Sequence, residues 1–112
     1  MIRSKKHLKF IASLPCLTTG LEGSTQAAHI RSGLYAMGMK PDDSLTVPLS
    51  WMQHALQHNG AEKDYWKDKG GIENIKALAI QLYENTGDEY TCRDLINDYR
   101  ERHIRRERLA SY

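Results

Sequence analysis

A chain of 112 residues, 40% apolar and 27% charged, is sized for a single domain (1–112) with a modest core that needs no disulfide. No run of about eighteen apolar residues occurs, which excludes a membrane-spanning helix. The basic start before the short apolar stretch 10–14 does not read as a secretory signal, so a cytoplasmic protein is expected.

Net charge is only +2, but it is unevenly spread. Arg3, Lys5, Lys6 and Lys9 stand at one end without an acid, and Arg100, Arg102, Arg105, Arg106 and Arg108 at the other outnumber Glu101 and Glu107. Basic ends around a near-neutral middle suit a phosphate-bearing partner; solvated helix faces are the plain alternative.

In chain order, Ser4 caps a helix over residues 5–13, with Leu8, Ile11 and Ala12 on one face, and Pro15 stops it. Residues 16–24, rich in Thr and Gly, read as a loop. A strand over 25–30 carries His29, and residues 31–43, with Gly33, Gly38 and Pro41, form a loop. Leu45, Val47 and Leu49 alternate with Thr46 and Pro48, a short strand that the proline places at a sheet edge. Ser50 then caps a helix to about residue 59, closed by Gly60. Another helix spans about 72–84, with Ile72, Ile75, Ala79, Leu82 and Tyr83 as its apolar stripe. A last helix, capped within residues 91–94, turns Leu95, Ile96 and Tyr99 inward and ends in a basic stretch beyond residue 102. Cys16 and Cys92 are expected as buried free thiols, and Trp51 and Trp66 as packing residues.

His54 and His58 carry the strongest chemical signal. One helical turn apart, their Cβ atoms lie about 5–6 Å from each other, and two neutral imidazoles so placed can aim lone pairs at one ion. Two protein ligands leave positions open for water and phosphate oxygens, as catalysis requires. His29, at the end of a strand that the order strand, loop, strand, helix brings near that helix, can take a proton from water at neutral pH. Arg31 would neutralise charge on a phosphate beside it. For each histidine alone, a core or solvent role is the competing reading. Asp42 and Asp43 read as turn or capping residues.

The stretches His7-Leu-Lys-Phe-Ile-Ala-Ser-Leu-Pro-Cys16, Ala27-Ala-His29-Ile-Arg31, Gly38-Met-Lys40-Pro-Asp42-Asp43, Val47-Pro-Leu49 and His54-x-x-x-His58 resemble phage-borne HNH (His-Me finger) endonucleases, in the group of the recombination-enhancing nucleases. The resemblance covers about residues 7–66 and ends with Asp64-Tyr-Trp66. It implies an α+β fold with a ββα-metal core over 14–60, an N-terminal helix and a C-terminal helical extension over 70–109. His29 is implied as general base, and His54 and His58 as ligands of a divalent ion (Mg, Mn or another). The implied substrate is DNA, cut or nicked at a phosphodiester. With the charge pattern, Arg31, Lys40, Arg102, Arg105 and Arg106 become the expected DNA contacts. The setting implied is a bacterial host cell carrying a phage or prophage, with no membrane partner and a homodimer left open.

Two departures bear on this expectation. Relatives of that kind hold a structural zinc with Cys-x-x-Cys and Cys-x-x-His, whereas Cys16 is here joined by Thr19, Ser50 and Gln53. Hydroxyls and an amide are poor zinc ligands, so no structural zinc is expected, and the loop after Cys16 must be held by packing or hydrogen bonds. The position before the base, often a metal ligand, is Ala28. The alternative expectation is therefore a catalytically inactive DNA-binding or adaptor protein that keeps the fold.

Overall fold

The computed structural model describes residues 2–31 and 41–104. Lys40, Arg105 and Arg106, three of the expected DNA contacts, lie outside the described residues. Among the described residues the architecture is α+β: five helices and one two-stranded antiparallel sheet.

Helix α1 (Lys5–Ala12) starts where the Ser4 hydroxyl accepts from the His7 backbone N–H at 3.1 Å, and it buries His7 and Ile11. Strands β1 (Thr25–His29) and β2 (Thr46–Ser50) pair from Thr25↔Ser50 to His29↔Thr46. One further bond, Ile30 N–H to Leu45 O at 2.9 Å, extends the ladder past His29. Pro48 has no N–H to give, and its carbonyl turns outward to accept from Leu17 N–H at 2.8 Å. The edge expected from that proline exists, but it is covered: all five residues of β2 are buried, with α1 and α4 packed against the strand.

Ser50 ends β2 and caps α2 (Trp51–His58), accepting from Gln53 N–H at 3.3 Å. The sheet therefore feeds its last residue directly into the helix carrying both metal-ligand candidates. Helix α3 (Glu62–Lys67) is an addition to the elements expected, in a stretch too short for a periodic signal. Tertiary contacts hold it: Trp66 is fully buried, and its indole N–H donates to Glu62 Oε2 at 2.9 Å.

Helices α4 (Ile72–Glu84) and α5 (Glu89–His103) close the other side of the core. Asp88 caps α5, accepting from Thr91 N–H at 3.1 Å, so the helix begins before the 91–94 cap expected for it. Gly70, between α3 and α4, has φ +98°, and a Cβ there would collide with the Tyr99 hydroxyl. That hydroxyl donates to Lys69 O at 2.6 Å and ties α5 to the α3–α4 joint.

The core gathers Ile11, Leu14, Leu17, Ala28, Leu49, Trp66, Ile75, Leu82 and Ile96. Cys16 and Cys92 are free and buried. Trp51 corrects the packing expectation: it opens α2 and is 58% exposed. Among the described residues no helix is long and apolar enough to cross a membrane.

Candidate functional site

The junction of β1, β2 and α2 sets the site. His54 and His58, on successive turns of α2, converge until their Nε2 atoms are 3.0 Å apart. Their ring centroids stand 4.7 Å apart at 50°. Two nitrogens bound at about 2.0–2.1 Å to one ion, at angles of about 90–110°, would lie about 2.9–3.4 Å from each other. The observed span falls in that range; here it is bridged by a hydrogen bond, His58 Nε2–H donating to His54 Nε2.

The tautomer also suits ligation. His54 Nδ1–H donates to the Gln26 side-chain carbonyl at 2.7 Å, which leaves the Nε2 lone pair facing His58. Partial burial, then the positive charges of His58, Arg31 and His29, hold His54 below the usual imidazole range. At neutral pH its ring is uncharged and able to ligate. Gln26 lies on β1, so the strand carrying His29 also fixes the ring on α2.

His29 ends β1, and its Nε2–H donates to Asp43 Oδ1 at 2.9 Å. In the neutral ring this tautomer puts the lone pair on Nδ1, the atom that a proton acceptor would use. Asp43 lies in a turn, as expected, and is also a buried carboxylate whose other oxygen accepts from Ser4 N–H at 2.8 Å. Burial alone would raise its pKa, but hydrogen bonds from His29 and Ser4, with the charges of His29 and Arg3, lower it on balance. Asp42 keeps the turn role, accepting from Ser44 N–H at 2.9 Å and from Ile2 N–H at 3.0 Å.

Glu62 locks strand to helix. One oxygen accepts from the Arg31 backbone N–H at 2.8 Å, and the other from the Gln57 amide at 2.8 Å and the Trp66 indole. The Gln57 amide also donates to His29 O at 2.9 Å. Thus the backbone at the candidate base and just after it is bonded to α2 and α3. Beside His58 opens a cleft of about 270 Å³ whose lining includes Arg31, Gln57, Glu62 and Lys63. Arg31 presents an exposed side chain there, as expected of a phosphate contact.

Other expected residues are not part of this cluster. Arg102 is exposed, pairs with Asp98 at 3.1 Å and lines a groove with α4 residues such as Asn74 and Gln81. Ala28 is fully buried in the core. Among the described residues no group of three or more His, Cys, Asp or Glu side chains is set to hold a metal, and His54 and His58 stand together as a pair.

The four positions matching the zinc motif come together through hydrogen bonds. Burial pushes the Cys16 thiol up, but the Thr19 hydroxyl, the Ser50 backbone, the Thr18 hydroxyl and the Thr19 backbone bring it down to about 7. Gln53 Oε1 accepts from the Tyr65 hydroxyl at 2.8 Å. Cys16 O and N close the loop with Gly20 N–H and Leu21 O, both at 2.8 Å. Hydrogen bonds therefore hold the loop, as the lost ligands required.

Sequence reasoning missed Gln26, Asp43, Gln57 and Glu62. One signal was present: α2 turns Gln53 and Gln57 inward while Trp51, Met52 and Leu56 face out, an inverted amphipathic pattern that marks polar fastening beneath the helix. Compared with known proteins, the chain matches no family profile, no curated protein and no solved structure.

Proposed function

We propose that this chain is a metal-dependent DNA endonuclease or nickase of the HNH (His-Me finger) kind, with β1, β2 and α2 as its ββα-metal core. One observation carries the reading: two imidazole Nε2 atoms 3.0 Å apart, the span of neighbouring ligands on a single ion. His54 and His58 would hold the ion, with Gln26 setting the His54 tautomer. Such an ion supplies positive charge against the phosphate and the departing oxygen. His29 takes a proton from water at Nδ1, Asp43 fixes its ring through Nε2–H, and Arg31 draws the phosphate toward the cleft.

The buried Ala28 and the two-ligand pair favour a second reading, an inactive DNA-binding protein that keeps the fold. A plasmid-nicking assay with Mg²⁺, Mn²⁺ and other divalent ions separates the two. The expected result is nicking that needs the ion and falls by about a hundredfold or more in His29→Ala. DNA binding without cleavage in any ion supports the second reading.

A further inference from the structure

Trp51 is 58% exposed, Met52 55% and Leu56 48%, while the other tryptophan, Trp66, is fully buried. Positions 51, 54, 55 and 58 share one stripe of α2, so the exposed indole lies in line with the imidazole pair. On the other flank of His58 the cleft presents Arg31 and Lys63. Helix α2 contains no carboxylate. The carboxylate lining that cleft, Glu62, is turned to the Arg31 backbone N–H, the Gln57 amide and the Trp66 indole; it keeps its charge, and with Arg31 and Lys63 the lining is left net positive by one. An aromatic face, two imidazoles and two cations therefore stand side by side on a surface whose charge complements a phosphodiester.

We propose that Trp51 is a stacking platform for an unpaired DNA base, and that the preferred substrate is single-stranded or locally opened DNA. This rests on the nucleic-acid reading of the site. In a duplex each base face is covered by its neighbours, so a lone surface indole has no π-face to meet. A splayed base can lie on it while the strand runs on along α2, about 10 Å, to bring a further phosphate to Arg31 and Lys63. Because every base offers such a face, the platform confers a preference for DNA structure rather than for sequence.

The test uses the full chain in EDTA, where binding is read without cleavage. A fluorescein-labelled oligo(dT) and a duplex of equal length are titrated into wild type, Trp51→Ala and Trp51→Phe, with circular dichroism checking the fold. Trp51→Ala is expected to weaken oligo(dT) binding by about ten- to a hundredfold, with Trp51→Phe retaining most of the affinity and duplex binding changing little. Oligo(dT) should quench wild-type tryptophan emission but leave the Trp66 emission of Trp51→Phe unchanged. Equal oligo(dT) affinity in wild type and Trp51→Ala overturns the proposal. So does indole quenching that follows protein concentration and ignores oligonucleotide, since a second copy of the chain then covers the patch. Nicking that survives alongside an indifferent Trp51→Ala sinks the platform alone. Loss of strand binding in Trp51→Ala, with no cleavage in any ion, sinks the nuclease and leaves the platform standing.

Discussion

His54 depends on a residue that carries no charge. Its Nδ1–H is held by Gln26, and without that acceptor the ring is free to rotate or to change tautomer, moving the lone pair off the 3.0 Å axis toward His58. Gln26→Ala is therefore expected to weaken divalent-ion binding by about 10–100-fold, as losses of outer-shell partners generally do. Isothermal titration with Mn²⁺ reads this directly, and unchanged affinity would show that Gln26 is a bystander. Asp43 acts in the same way on His29. Asp43→Asn keeps the shape but replaces a charged acceptor with an amide, and nicking is expected to fall by about tenfold or more while Mn²⁺ affinity stays put. At this scale the convergence of His54 and His58 was readable because residues four apart on a helix share a face. Their partners were not, since a glutamine 28 positions away leaves no local mark.

At the scale of elements, the order strand, loop, strand, helix followed from alternation, proline and a serine cap, each written within a few residues of its effect. Helix α3 was hidden for the opposite reason: what holds it is Trp66 in the core and Glu62 reaching to β1, both distant in sequence from their partners. Glu62→Ala removes three acceptor contacts at once and leaves the buried Trp66 indole N–H and the Gln57 amide short of partners. A loss of about 2–4 kcal/mol in urea unfolding is expected. Glu62→Gln should lie between, because its carbonyl, set in the place of Oε2, can still accept from Gln57 and Trp66 while its amide nitrogen cannot accept from Arg31 N–H. If the alanine variant is as stable as wild type, β1 is fastened to α2 and α3 by something other than this carboxylate.

Across the whole molecule, α1 is joined to the α4–α5 connection through a histidine outside the candidate site. His7 is fully buried on α1, and its Nδ1–H donates to the Thr86 hydroxyl at 2.7 Å, a link across 79 positions. Thr86 passes its own proton to Tyr83 O at 2.6 Å, and the Tyr83 ring meets the imidazole edge-on at 5.0 Å. His7 Nε2 is buried without a partner, so a second proton there would be an uncompensated N–H. Burial holds His7 below 6.5, with the negative charge of Asp43 opposing. The sign of the linkage follows. Above pH 6.5 the ring is neutral folded or unfolded and has no pH effect. Below it the unfolded chain binds a proton that the fold refuses, so stability falls as pH falls. His54 adds to the same slope, whereas the carboxylate of Asp43, lowered from 3.8, acts only at more acid pH. Melting temperature is thus expected to drop between pH 7 and 5. His7→Gln, whose amide can still donate to Thr86, should be less stable at pH 7 yet show a shallower decline, by at most about 1.4 kcal/mol per pH unit for the one group. An undiminished slope in that variant would mean that His7 takes up its proton inside the fold, and that the α1–Thr86 link survives the charge.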